Sequence, residues 1–421
     1  MPPAFSTWPI RAFLYFDDKG WKYFYALVFG IFLGAAFAVK FSNLTLVLIL
    51  PLLYFLNKGK SAIAVSGRQW LLRVVKTAIV IFACFFLINA AYGFQGTFHR
   101  LGSHDFQSRL LQRVNKAIPE NTPVPLPFHL VRGFDLQSRD NETMSGKDAL
   151  VRWQGQWTNG PVHQFFPWLF ATKLSISLLG LWLISLFFIL KKPCNKQQSL
   201  ERSLLIKYFT VAAVHFLFMA YIIQMYFGIR YMMQIIPFVV VMASLGGGQL
   251  RKYFSRRRQA AAVLIFLIAA NGVLITYRAT PHYLGFNNIL LGSKQNWDKL
   301  DPDPTSDWGQ DLVGLKDWMD EKGIEEIYMG YFGTIDPQFY GIDWKVPPPR
   351  PEEGVWAVSR NYIYRDLPHS FQFVREGKLR IIHQPKPYFG WLAGREPTHR
   401  IGRSINIYDF RKGTNIKKQG P

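Results

Sequence analysis

Arg230 lies in the run Phe227-Gly228-Ile229-Arg230-Tyr231, between two strongly apolar stretches. A guanidinium there can grip a phosphate through paired hydrogen bonds, or simply reach from a helix end to lipid headgroups. Lys40 closes the first apolar stretch and Lys173 lies a short way into the fourth. Each suits contact with a lipid-linked phosphate, and each suits plain interfacial anchoring. His215 and Gln224 sit inside the fifth stretch, where polar side chains more often make interhelical hydrogen bonds than do chemistry. His163 and Gln164 open the fourth stretch, and a lone histidine there is usually structural. Asp105, Glu120, Asp135, Asp140, Glu142 and Asp148 fall in one long polar segment. A general base needs one such carboxylate beside its substrate, but as a group they read as solvated loop residues. Asn141-Glu142-Thr143 is a glycosylation sequon, meaningful only in a eukaryotic host. Cys84 and Cys194 are not placed to bridge one another, and no metal-ligand spacing exists, so neither metal nor cofactor is expected.

The elements that must carry these residues follow from composition. Of 421 residues, 49% are hydrophobic and 16% aromatic, while only 18% are charged, below the quarter or so of ordinary soluble domains. Apolar runs span about seven helices of near-bilayer length: Tyr23 to Val39, Leu44 to Leu56, Trp70 to Tyr92, Phe165 to Leu190, Leu204 to Phe227, Tyr231 to Leu245 and Ala260 to Tyr277. Lys40-Phe41-Ser42-Asn43 makes a tight turn between the first two. The chain divides into N-terminal membrane helices (1–92), a polar loop (93–164), further membrane helices (165–277) and a polar C-terminal domain (278–421). The fold class expected is an α-helical polytopic membrane protein with a C-terminal α/β domain.

Charge placement sets the orientation. The net charge of +22 invites a nucleic-acid reading, but much of the excess sits in short loops between apolar runs. Lys58, Lys60 and Arg68 fall in one; five basic residues lie between Lys191 and Lys207 against Glu201, and five between Arg251 and Arg258. The positive-inside bias makes all three cytoplasmic and argues against a nucleic-acid partner. The N-terminus is then cytoplasmic, and the 93–164 loop and C-terminal domain face the exoplasm: the periplasm, for a protein of a bacterial inner membrane.

In the polar loop, Pro119, Pro123, Pro125 and Pro127 favour extended backbone, and Arg109, Leu110, Arg113 and Val114 suit a short interfacial helix. In the C-terminal domain Asp307 or Asp311 can cap a helix whose Leu312, Leu315, Trp318 and Met319 share one face. Gly323 ends that helix, and Glu326 to Tyr331, Val355 to Ser359, Leu379 to His383 and Ser404 to Phe410 read as strands.

Several segments together resemble the GT-C glycosyltransferases. The nearest are polyprenyl- or dolichyl-phosphate-sugar-dependent enzymes related to protein O-mannosyltransferases and the aminoarabinose transferase of lipid A. Ala38-Val39-Lys40-Phe41-Ser42-Asn43-Leu44 resembles their "TKFSAL" hairpin. Pro125-Leu126-Pro127 with Gly133-Phe134-Asp135 resembles a loop element, and Phe165-Phe166-Pro167 with Lys173-Leu174 resembles "YFP…KTPLP". Gly228-Ile229-Arg230-Tyr231 with Pro237 resembles "GIRYLLP". Most specific is Ser306-Asp307-Trp308-Gly309-Gln310-Asp311-Leu312, similar to "SNLDWGQDL". The resemblance implies transfer of a sugar from a polyprenyl-phosphate carrier to an acceptor hydroxyl on the exoplasmic face. Basic residues hold the carrier phosphate and stabilise the leaving group. Lys40, Arg230 and Tyr231 occupy matched positions and, with Lys173, are the candidates for that neighbourhood. Asp307, Trp308, Gly309, Gln310 and Asp311 serve either packing and capping or substrate contact.

In the family the general base is an aspartate after the first membrane helix, with several helices before the "TKFSAL" hairpin. Here that hairpin stands near the start, and its turn holds no acid. The catalytic residue is therefore unknown, and two explanations keep the enzyme reading: the chain is a truncated product, or the missing helices belong to a separate partner membrane subunit. The alternative is a noncatalytic structural or accessory subunit of a membrane complex. A transporter-like protein is a third reading; it wants broken helices or acidic relays, and no Asp or Glu lies within the apolar runs.

Overall fold

The computed structural model describes residues 10, 22–58, 67–144, 150–193, 195–253, 258–292, 297–364, 370–383 and 388–411. Lys60, Asp148 and Cys194 lie outside them. The chain gathers into two compact units, one of residues 1–149, 178–225 and 231–261, the other of 150–177, 226–230 and 262–421.

The first unit is helical. It contains α1 (Tyr23–Val39), α2 (Leu46–Lys58), α3 (Gly67–Ala91), α4 (Arg109–Ala117) and α5 (Phe128–Met144). Glycines set its tightest crossing. A Cβ on Gly30 or Gly34 would strike the backbone carbonyl of Val80 or Cys84. Two small residues four apart thus let α1 and α3 approach backbone to backbone, as apolar helices do where no hydrophobic effect drives them together. Between α1 and α2 the expected tight turn is a 3₁₀ segment, Phe41–Thr45. Asn43 fixes it, donating 2.6 Å to the Ala36 carbonyl in the last turn of α1, which also accepts from the Lys40 amide.

Two of the acids in the polar loop order it, which corrects the expectation of solvated residues for Asp135 and Glu142, while Asp105 and Glu120 are exposed as expected. Buried Asp135 accepts from the Gln107 and Ser108 amides at 2.8 and 2.9 Å and from the Ser108 hydroxyl at 2.6 Å. Ser108 in turn caps α4 through the Leu111 amide. Glu142 accepts from the Arg109 and Leu110 amides at the same helix start. Two carboxylates at one N-terminus satisfy its orphan donors and complement its dipole. The proline stretch is extended only in part: Pro123 bridges Arg100 and residues 120–124 pair with the backbone of Phe98–Gly102, whereas Pro119 opens a turn and Pro127 leads into α5.

The apolar run Phe165 to Leu190 breaks into α6 (Phe165–Lys173) and α7 (Ile176–Leu190), where one continuous helix was expected. Leu174 is extended, and Asn288, 114 residues on, takes its carbonyl at 2.7 Å and that of Ala171 at 2.6 Å. The fifth run starts earlier than expected, as α8 (Lys196–Leu217), and ends in a π-helical turn, Phe218–Ile223. The sixth starts later, as α9 (Ile236–Tyr253), where Pro237 suits a first turn whose amides need no partner. The seventh is α10 (Arg258–Ala279).

Among the described residues, three helical stretches are long and apolar enough to cross a membrane: Gly67–Ala91, Lys196–Ile223 and Ala262–Ala279. A fourth follows if the broken pair α6 and α7 is one span, and three shorter apolar helices accompany them.

The second unit is built on a five-stranded sheet. Its strands are β3 (Glu326–Gly330), β4 (Asp343–Lys345), β5 (Val355–Ser359), β8 (His399–Ile401) and β9 (Ile405–Asp409), in the order β4-β3-β5-β9-β8. β4, β3 and β5 run parallel, while β9 is antiparallel to β5 and to β8. Two hairpins, β1 (Leu150–Trp153) with β2 (Gln156–Asn159) and β6 (Ser370–Arg375) with β7 (Lys378–His383), stand apart from it. Three further helices complete the unit: α11 (Trp297–Leu300), α12 (Leu312–Lys322) and α13 (Arg360–Tyr364). Leu312, Leu315 and Met319 of α12 pack into one core with Ile327, Met329 and Trp356 of the sheet. Central β5 is buried along its whole length, as a strand between two partners requires. Gly323 ends α12 in the left-handed conformation.

Candidate functional site

In the second unit the structure gathers three segments that are far apart in the chain. Phe165 and Phe166 pack on Tyr226, with centroids 5.0 and 6.1 Å away. The Lys173 ammonium at the end of α6 sits 3.0 Å from Asp301, 3.6 Å from Asp303 and 2.9 Å from the Ser306 hydroxyl. Asp301 also accepts from Ser306 and Asn287, and Asp303 from the amide and hydroxyl of Thr305. All these acids are buried. Burying one ammonium between two carboxylates is tolerable only because further donors satisfy the remaining lone pairs.

The turn before Arg230 closes on the same acids. The Ile229 amide lies 3.4 Å from the Asp303 carboxylate. Gly228 adopts φ of 86°, and a Cβ there would collide with that carboxylate and with Thr305. Both the dihedral and the close approach select glycine. Arg230 is thereby carried out to an exposed position, its guanidinium 5.3 Å from the Phe227 ring and 5.7 Å from the Trp308 ring. Trp308 is itself 50% exposed. Cation–π contact holds the guanidinium against the two rings at this exposed position.

The remaining residues of the Asp307–Asp311 segment serve the loop. Asp307 accepts from the Gly309 amide at 3.0 Å, and Gln310 bonds the Trp308 amide and the Ser306 carbonyl. Gly309 has φ of 75° and packs under Tyr331, whose hydroxyl donates to its carbonyl; burial, with Asp307 nearby, pushes that phenol up to about 12. Asp311 stands at the N-cap of α12, but its side chain does not cap that helix. It accepts instead from the Arg403 and Ser404 amides, the Ser404 hydroxyl and His282. Capping by Asp307 or Asp311 is thus replaced by tethering of the β8–β9 turn.

Lys40 and Tyr231 meet in the first unit, with the Lys40 ammonium 5.9 Å from the Tyr231 ring. Phe41 and Phe134 touch edge to face at 5.6 Å, which joins the "TKFSAL"-like turn to the Gly133-Phe134-Asp135 segment. Gln234 donates to Ser42 and Asn43. His215 bridges the Thr45 hydroxyl at 3.1 Å and the Tyr231 carbonyl at 3.3 Å, the interhelical role expected of it.

Sequence reasoning missed Asp301, Asp303 and Asn288. The spacing Asp301-Pro302-Asp303-Pro304-Thr305 signals a turn, but nothing local pairs it with a lysine 128 residues earlier. The break after Lys173 supplies one feature of the transporter-like reading; the carbonyls it frees are taken by Asn288 and the lysine by two aspartates. Among the described residues, no group of three or more His, Cys, Asp or Glu is arranged to hold a metal ion. Comparison with protein-family models, curated proteins and solved structures finds no match.

Proposed function

We propose that this is a membrane protein of GT-C type, with about seven spanning helices, that handles a polyprenyl-phosphate-linked sugar at the exoplasmic face. One observation carries the reading. The segments that resemble the family's motifs, scattered from residue 38 to residue 312, pack against one another within each unit rather than dispersing. In the second unit they leave Arg230 exposed over Trp308 and Phe227, a guanidinium suited to a lipid-linked phosphate. Lys40 over Tyr231 is the matching feature of the first. Lys173 supports the site indirectly, as the cation that holds Asp301 and Asp303 beneath the Arg230 turn.

The test is binding of a short-chain polyprenyl phosphate to the purified full chain in neutral detergent. Arg230→Ala is expected to weaken it by about tenfold or more, the loss of a charge-assisted contact, with little change in thermal unfolding. Equal affinity in wild type and variant would remove the reading.

A noncatalytic, carrier-binding or accessory role is the second reading. Asp301, Asp303 and Asp307, the acids adjoining Arg230, are buried and committed to internal hydrogen bonds, which suits binding more than proton transfer. It predicts stable copurification of another membrane subunit from the native membrane. Sugar transfer by the isolated chain would dismiss it.

A further inference from the structure

A cavity of about 460 Å³ opens in the second unit, within the size range of small-molecule sites. One wall comes from α10, aliphatic through Leu274 and Ile275 and cationic one turn on at Arg278; Arg403, Asn287 and Trp297 supply further cationic and polar lining.

The polar lining is built. Arg403 is held by a 2.8 Å hydrogen bond to the Gly285 carbonyl and lies 5.0 Å over the Trp297 ring. These contacts fix the guanidinium plane and leave most of its five donors. Burial, and then the neighbouring Arg360 charge, lower its affinity for its own proton, with Asp301 opposing. Asn287 is 3% exposed; its Nδ2 donates to Asp301, while Oδ1 has no hydrogen-bond partner among the described residues. Arg278 stands exposed in the last turn of α10, where a spanning helix meets headgroups.

We propose that this cavity binds the phosphate of an anionic membrane lipid, at a site separate from Arg230. Arg278 and Arg403 would clasp the phosphate oxygens, Asn287 Oδ1 would accept from a headgroup hydroxyl, and the acyl chains would lie along Leu274 and Ile275. The aliphatic wall belongs to Ala262–Ala279, a stretch apolar enough to cross a membrane of which only 6% is buried. That continuity favours a lipid phosphate over a soluble one. The inference rests on the membrane reading above but not on sugar transfer.

The test uses the full chain carrying Arg230→Ala, delipidated in neutral detergent, so that loss at the Arg230 site does not enter the result. Dioctanoyl phosphatidylglycerol is titrated first, then inorganic phosphate. The lipid is expected to bind, and Arg278→Ala and the cavity-filling Leu274→Trp are each expected to weaken it about tenfold. If Leu274→Trp fails to fold, Arg278→Ala at its exposed position decides. Unchanged affinity in the folded variants would overturn the cavity assignment. Inorganic phosphate bound as tightly as the lipid would overturn the lipid assignment.

Discussion

Lys173 closes a helix and Arg230 lies in a short 3₁₀ turn between two others, and their surroundings give these basic residues opposite tasks. Lys173 is enclosed, with its side chain 5% exposed and two aspartates against it. Removing its charge leaves both carboxylates buried without their counter-ion, and breaking such a pair costs about 3–5 kcal/mol. Lys173→Met should therefore lower the thermal unfolding temperature of the purified protein sharply. Adding Asp301→Asn and Asp303→Asn should recover part of the loss; a single variant as stable as wild type would contradict the ion-pair account. Arg230, exposed over two rings, contributes only about 0.5–1 kcal/mol to stability through them. Its variant is expected to report on ligand rather than on folding.

At the scale of elements, the segment 93–144 carries its own pH dependence. His104 is stacked between Phe106 and Phe128, with centroids 5.3 and 4.8 Å away, and its Nε2 is buried without a partner among the described residues. Burial and the neighbouring His99 hold its pKa below the ordinary 6.5, with Asp135 partly opposing. The fold thus prefers the neutral ring, and the stability this contributes is present above pH 6.5 and lost as pH falls below it. For Asp135 burial alone would raise the carboxyl, but the Gln107 and Ser108 hydrogen bonds and the Arg139 charge hold it below its ordinary 3.8. Its contribution is present above that value and fails only in stronger acid. Of these two groups, only His104 contributes between the two ranges. Amide hydrogen exchange over residues 98–135, corrected for intrinsic rates, should therefore show easier opening at pH 5 than at pH 7 in wild type. His104→Phe, which keeps the stack and removes the titration, should abolish the difference.

For the whole molecule, the proposed orientation makes opposite demands on two surfaces. With Cys84 and Cys194 replaced by serine, a single cysteine is placed at exposed Gln197 in the basic segment or at exposed Glu352 beside the sheet. A membrane-impermeant maleimide is expected to label Glu352→Cys on intact cells and Gln197→Cys only after permeabilisation. The reverse pattern would invert the topology.

The sequence by itself determined the apolar helices, the strands around Val355–Ser359 and Lys378–His383, and the stop at Gly323. Each is written in local periodicity, β-branched content or one glycine's freedom. It also marked Arg230, a cation between apolar runs, while the Asp307–Asp311 segment was marked by its resemblance to a family motif. Only the tertiary structure decided that the run Phe165 to Leu190 breaks after Lys173. No proline or glycine lies at that point; the carbonyls are claimed by Asn288 from 114 residues away. Likewise it decided that Lys173 is spent on Asp301 and Asp303 while Arg230 remains exposed beside Trp308. A charge's role depends on which distant groups desolvate and pair it, and that is set by packing rather than by neighbours in the chain.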